Sequence, residues 1–422
     1  MQNLISRRRF LERGTQVAIT AGAAGSLLAA CGGSSSSTKA TITFWNAYNV
    51  TDPENKTLLN KVIPAFQKKY PNITVKSQNI PYSSLLQKLI ATVAGGSGPD
   101  VVRTDIIWMP QLAKIGALVP TDDIVARRKG EFYPGPMATC FYKGKYYGLP
   151  LDTNTRVIFY DKTLLSQAGF SQPPTTSDEF QEMAMKVAAL NKSFYGYAES
   201  GLDPWNILPW IWSFGGAVTN SDYTKARGYI NSSQSVSALE YLVGLYKNRS
   251  LAPNLLGGSS YSPDDEFGKG HVGFILEGPW VPPTMKQTYP NLQYDMALMP
   301  AGPDGSSASV VGGEDIAVMS SSKNIDAAKT FMQFMTSEEA QVMMGEVGQM
   351  PVLSSLATDS RMPTYFSAFA QQLKTAKPRP VTPNYTKIES ILTDAFNSAF
   401  RGKATVQAAL DSAAQQIEPL LS

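Results

Sequence analysis

The chain predicts an α/β fold whose sheets are mainly parallel. Three observations carry that expectation. Strand-like runs alternate with amphipathic helical runs through the first 165 residues, the pattern that places helices against a parallel sheet. The later chain reads mostly as helices, with strand-like runs returning at residues 272–278 and 294–300. The 422 residues exceed what one hydrophobic core usually serves, which argues for two domains.

The N-terminus is set apart from that pattern. Ser6-Arg7-Arg8-Arg9-Phe10-Leu11 precedes a weakly apolar stretch from Thr15 to Ala30. That stretch is shorter than the roughly 20 apolar residues that span a bilayer. Basic residues, a short apolar run and small residues before a cleavage point describe an export signal, so residues 1–30 read as a signal peptide. The arginine motif resembles the twin-arginine export signal, with Glu12 where that signal usually has lysine, which leaves the general route open. Leu28-Ala29-Ala30-Cys31 resembles a bacterial lipobox, in which Cys31 is acylated and becomes the new N-terminus. Residues 31–40 then read as the lipidated cysteine and a flexible Gly/Ser tether. The signal's four arginines and one acid account for the whole net charge of +3. The mature chain is therefore near neutral and offers nothing to a phosphate backbone, so no nucleic-acid partner is expected. With Cys31 lipidated, Cys140 has no partner for an internal disulfide, and stability rests on packing.

Taken in order, the segment 40–48 (ATITFWNAY) alternates and is rich in β-branched and aromatic residues, so it reads as a strand. A helix follows with Leu58, Val62 and Phe66 at helical spacing and ends before Pro71. ITVKSQNI (73–80) is a second strand. The next helix carries Leu85, Leu89 and Val93 on one face and stops at a glycine pair. PDVVRTD (99–105) is a third strand. GKYYGLP (144–150) and TRVIFYD (155–161) read as a hairpin-like pair before a helix. From Ser177, taken as an N-cap, a helix presents Phe180, Ala184 and Val187. Helices are expected again at 235–248, 324–347, 388–402 and 405–421.

Several familiar patterns lack their context. Gly268-Lys269-Gly270-His271-Val272-Gly273 fits G-x-G-x-x-G but precedes a strand instead of following one. Ser320-Ser321-Ser322-Lys323 fits S-x-x-K without its partner motifs, and reads as a polar loop that caps the next helix. His271 is the only histidine, so histidine-rich metal sites are excluded, and a Ser-His-Asp triad would have to use this residue. No cofactor or metal is implied. A hydrolase built on two carboxylates remains an alternative, with Asp105, Asp152, Glu277 and Glu314 the acids to consider. A scaffold without a small ligand is a third reading.

Segments such as LIATVAGGSGPDVVRTDIIWMPQLAKIGALVPTDD (89–123), GHVGFILEGPW (270–280), VGGEDIAV (311–318) and AKPRPVTPNYTKIESIL (376–392) occur in one order across essentially the whole mature chain. Together they resemble the solute-binding proteins of carbohydrate ABC transporters, the maltose/trehalose-binding group. The resemblance implies a two-lobed periplasmic-binding-protein fold, each lobe a mainly parallel sheet flanked by helices. It implies a hinge between the lobes and a ligand, a di- or oligosaccharide, in the cleft. It further implies no enzymatic activity, a monomer, and delivery of the sugar to a membrane permease. The expected division is 41–152 in the first lobe and 153–292 mainly in the second. Residues 293–316 are expected to return to the first lobe, and 317–422 to lie mainly in the second.

A sugar offers apolar C–H faces to aromatic rings and a polar rim to carboxylates, amides and arginines. Trp280, after the Gly-Pro turn that follows VGFIL, is the best stacking candidate, and the resembled family places a ligand-stacking Trp there. Asp105 ends its strand at the carboxyl edge, where α/β sheets bind ligands. Trp45, Asn46, Tyr48 and Asn49 lie where the first strand leaves its sheet, with Glu54 close behind. Asp152 and Asn154 sit at the first expected crossing, and Arg156 beside them reads equally as a hinge residue. Trp205, at a helix start after Asp203-Pro204, is preferred for ligand over Trp212, which shares a core-facing helical side with Leu208. Gly312 and Gly313 allow close backbone approach to a ligand, and Glu314 offers a carboxylate to hydroxyls. Arg379 in PRPVTP matches a sugar-contacting arginine of the resembled group. The lipobox reading predicts that Cys31→Ser leaves the chain unacylated and in the soluble fraction. Membrane retention of that variant in a fractionation assay contradicts it.

Overall fold

The structure, a computed structural model, describes residues 39–257 and 261–421. The expected signal peptide, Cys31 and the expected tether as far as residue 38 lie outside the described residues. Eleven strands appear in the described chain. They are β1 (Ala40–Asn46), β2 (Ile73–Asn79), β3 (Val101–Asp105), β4 (Phe141–Tyr142), β5 (Lys145–Tyr146), β6 (Leu149–Asn154), β7 (Val157–Asp161), β8 (Tyr195–Ala198), β9 (Val272–Glu277), β10 (Tyr294–Ala297) and β11 (Gly312–Val318).

One sheet has the order β2-β1-β3-β11-β6 and the other β10-β7-β9-β8. In the first, β1 runs parallel to β2 and β3, while β11 runs antiparallel to β3 and β6. In the second, β8 and β9 are parallel, and β7 opposes both β9 and β10. A single strand therefore runs against the rest in each sheet, and the expected mainly parallel α/β architecture is what the chain adopts.

Each sheet owns a core. Ile42, Phe44, Val101, Val102, Leu149 and Ile316 pack the first, together with Phe331, Met332 and Met344 from the helices Ile325–Met335 and Glu338–Gly345. Ile158, Phe180, Tyr197, Trp210, Phe274, Phe396 and Leu410 pack the second, extended by a smaller cluster around Phe159, Ile275 and Phe369. Trp212 and Leu208 both lie in the second core, as their helical spacing predicts. Cys140 is buried in the first.

Several local expectations are corrected. β6 and β7 do not pair with each other: β6 joins the first sheet and β7 the second, so Thr155-Arg156 is a crossing between lobes. The small hairpin is instead β4 with β5. Thr176, not Ser177, caps the helix Ser177–Leu190: its hydroxyl accepts from Glu179 N–H at 3.2 Å while the Glu179 carboxylate accepts from Thr176 N–H at 3.2 Å. β10 pairs with β7, so residues 294–297 belong to the second lobe, and the return to the first begins with β11. The helices Ile325–Met335 and Glu338–Gly345 pack the first core, whereas Tyr385–Phe400 and Val406–Ile417 pack the second. The stretch 317–422 is thus shared between lobes, because β11 delivers the chain to the first sheet and the next helices cover that sheet before the chain crosses again.

The G-x-G-x-x-G run leaves the helix Pro263–Gly268 and enters β9. A Cβ on Gly268 would overlap the Tyr289 ring at 2.2 Å, so this glycine answers packing. Ser322 of the S-x-x-K run donates to Asp100 at 2.6 Å and accepts from Asn324 N–H; the run is the expected polar loop, but its hydroxyl bonds ahead of the helix Ile325–Met335 and does not cap it.

Candidate functional site

The site begins where β1 ends. Asn46 is fully buried. Its side-chain oxygen accepts from Tyr48 N–H at 3.3 Å and its amide donates to Ser77 Oγ at 2.9 Å. The Asn79 amide donates to the Tyr48 carbonyl. These bonds satisfy the backbone as it leaves the sheet and turn Tyr48 and Asn49 toward the second lobe.

Next to Tyr48 lies Arg103 of β3, its guanidinium carbon 4.2 Å from the ring centroid. Arg103 also meets Glu314 of β11 at 2.7 Å and Asp152 of β6 at 3.7 Å. Sheet register explains the meeting. Glu314 lies opposite Asp105 on β3 and opposite Asp152 on β6, with an irregularity in the β11–β6 pairing between Glu314 and Asp315. Gln349 closes the group: its amide donates to Tyr48 Oη at 2.8 Å and to Asp152 Oδ2 at 2.7 Å. Burial raises the pKa of Asp152 and of Glu314, and Arg103 opposes that rise. Burial pushes Glu54 up to about 7, again against the pull of Arg103.

The second lobe supplies Pro279 and Trp280 from the end of β9. Between the lobes lies a cavity of about 220 Å³, lined by Tyr48, Asn49, Asp52, Glu54, Tyr82, Arg103, Asp152, Asn154, Trp280, Glu314 and Gln349 among others. The lobes are closed over it. Lys56 of the first lobe reaches Gln287 of the second at 3.4 Å. Gly348, at φ +107°, lies so close to the second lobe that a Cβ there would sit 2.7 Å from the Pro279 carbonyl oxygen and 2.9 Å from Trp280 Cα.

A larger cavity, about 1030 Å³, shares Thr153 and Met350 with the first and extends among Ile107, Tyr133, Pro351, Met362, Phe366 and Leu373. Its wall is mostly apolar, and the carboxylates gathered around Arg103 do not line it. The smaller cavity is the one with convergent polar groups, and it defines the site.

Of the residues predicted from sequence, Tyr48, Asn49, Asp152, Asn154, Trp280 and Glu314 line this cavity together with Glu54. Five others do not. Trp45 donates its indole N–H to Gln78 at 2.9 Å on the sheet. Asp105 stands behind the wall, where it accepts from Tyr82 Oη at 2.8 Å and pairs with Arg379 at 3.3 Å. Arg379 borders the larger cavity, and its guanidinium lies over the Trp205 and Tyr385 rings. Trp205 also lies under Arg156, whose guanidinium carbon is 5.7 Å from its ring centroid. Arg156 in turn is fully buried and pairs with Glu199 at 2.8 Å and Glu277 at 3.6 Å. Trp205 and Arg156 therefore build the crossing between lobes. At Gly313 the backbone closely approaches β6: with φ +136°, a Cβ there would lie 2.5 Å from the Asp152 carbonyl oxygen.

Arg103, Tyr82, Gln349 and Gly348 were not singled out from sequence. Arg103 carried a signal: a charged residue inside the buried run Val101-Val102-Arg103-Thr104-Asp105 needs a partner, and it shares a strand face with Asp105. Gln349 lies in a loop whose neighbours in space are hundreds of residues away in sequence, and nothing local marks it.

Residues 51–342 match the family model described as bacterial extracellular solute-binding protein. The chain belongs to that family. The galactooligosaccharide-binding protein of Bacillus subtilis is 25% identical over 92% of this chain and 92% of its own. An ABC transporter solute-binding protein of Thermotoga lettingae, solved with α-D-tagatose, is 27% identical over 90% of this chain and 100% of that one, with a TM-score of 0.82. A maltose-bound T. maritima protein is 25% identical over 90% of this chain and 100% of that one, with a TM-score of 0.80. This solute-binding protein is accordingly a receptor and not an enzyme, and Asp152 and Glu314, two of the acids considered for hydrolysis, are both tied to Arg103.

Gly348→Val is expected to hold the lobes apart, because both its backbone angle and its Cβ conflict with the closed contact. Small-angle scattering with excess ligand should show an open form, and affinity should fall at least tenfold. A variant that closes and binds as the parent does would contradict the role given to Gly348.

Proposed function

We propose that this solute-binding protein captures a sugar between its lobes and hands it to the permease of an ABC transporter. The observation that carries the reading is one cavity between the lobes lined by Trp280 together with carboxylates, amides and a guanidinium, the pairing that sugar faces and hydroxyls require. The sugars named for its relatives support the same class. A volume of about 220 Å³ lies below the roughly 300–1,000 Å³ of pockets for drug-sized ligands. It suits a ligand of one or two rings in place of a long oligosaccharide. Closure around the sugar would create the surface that the permease reads, since binding shifts the balance between open and closed lobes. The lipobox-like Leu28–Cys31 sequence supports an anchor on the outer face of the cytoplasmic membrane, with the tether holding a monomeric receptor near its permease. No helix among the described residues is long and apolar enough to cross a membrane.

A thermal-shift screen of the mature chain against mono- and disaccharides should give a rise in melting temperature with a small set of sugars. For the best of these, Trp280→Ala should weaken binding at least tenfold by calorimetry while leaving the unliganded melting temperature within a few degrees. Equal affinity in the variant would remove the indole from the site.

A further inference from the structure

The charge on the cavity wall is unbalanced. Asp52, Glu54, Asp152 and Glu314 line it, and Arg103 is the one Lys or Arg among the lining residues. Closure makes the imbalance worse. Asp264, on the helix Pro263–Gly268 of the second lobe, is raised by burial first and then by the negative charge of Glu277, against the pull of Arg156, with smaller contributions from Asp265 and, across the cleft, Asp52. Like charges brought together away from water disfavour one another's ionised forms, and an unpaired buried charge is costly.

Hydrogen-bonding capacity points the same way. Gln349, Asn154 and Glu314, which line the cavity, and Asp264 beyond it each keep one fully buried side-chain oxygen without a hydrogen-bond partner, while Arg103 Nε is the one such nitrogen among the lining residues. Gln349 is only 4% exposed. The lining is therefore rich in acceptor groups and short of positive charge. A hydroxyl brings one donor together with acceptors that this wall has little use for. An ammonium brings three donors, a positive charge and no acceptor. Among the described residues no three His, Cys, Asp or Glu side chains converge closely enough to hold a metal ion, so the spread of the acids suits an organic cation on a larger ligand.

We propose that the sugar this receptor captures carries a protonated amine, which lies among Glu54, Asp152 and Glu314 while Trp280 covers the ring. This rests on the carbohydrate reading above and narrows it to amino sugars. In the closed form the ammonium replaces the missing counter-charge between the two acidic lobe faces, so it favours closure as well as binding. The neutral isostere, with a hydroxyl in place of the amine, leaves the acids facing one another.

Matched pairs test this at pH 7 in low salt: glucosamine with glucose, galactosamine with galactose, the β-1,4-linked glucosamine disaccharide with cellobiose, and trehalosamine with trehalose. Calorimetry on the mature chain should show the amine member of at least one pair bound at least tenfold more tightly than its neutral partner. Glu54→Gln should cut that ratio to about threefold or less, and the effect should shrink in high salt. Neutral members bound as tightly as, or more tightly than, their amines would overturn the amine while leaving a sugar receptor. Binding by no member of any pair would overturn the amine and the carbohydrate reading together.

Discussion

One guanidinium organises the site. Arg103 projects from the middle of the first sheet and faces Glu314 on one neighbouring strand, Asp152 on the next and the Tyr48 ring from the loop after β1. No two of these partners are close in sequence, so the arginine ties together three strands and a loop. Buried ion pairs add little net stability when compared with well-packed apolar groups, yet removing one partner strands the others and costs roughly 3–5 kcal/mol. Such an arrangement holds side chains in one geometry, which a receptor that must recognise its ligand on closing requires. The flat guanidinium explains why the residue is arginine: its Nη2 meets both carboxylates while its face lies on an aromatic ring.

The second lobe answers with shape. Pro279 and Trp280 arrive at the cavity directly from β9, and Gly348 of the first lobe sits against them without room for a side chain. The binding surface is complete only when these elements meet, so a ligand that touches both lobes stabilises the closed form by its differential affinity for it. Arg156, at the crossing from β6 to β7, is held by Glu199, Glu277 and the Trp205 carbonyl. This fixed post lies at the base of the movement, behind the residues that contact the cavity.

Much of the fold was legible because its signals are local. The strand at 40–46 alternates, Leu85 and Leu89 repeat at helical spacing, and a glycine, Gly96 at φ +61°, ends that helix. Lobe membership was less legible. Whether residues 294–297 or 325–345 join the first or second sheet depends on strand pairing over long separations, and local pattern says nothing of it. The site divides in the same way. Trp280, Tyr48 and Asp152, which line the candidate cavity, stood out because they follow strands or sit at the expected crossing. Trp205 looked like a ligand-facing aromatic at a helix start, but two arginines remote in sequence lie over its ring. Gln349 was silent because an amide in a loop acquires meaning only from Tyr48 and Asp152, which folding brings to it.

The most direct measurement is the affinity of an Arg103→Lys variant for the best-bound sugar, by calorimetry, beside its unliganded melting temperature. Lysine keeps the positive charge and most of the length but cannot lay a flat guanidinium on the Tyr48 ring. If Arg103 organises the cavity, affinity falls at least tenfold while the variant still folds cooperatively. Affinity within about twofold of the parent would mean that the wall is positioned by something other than this guanidinium.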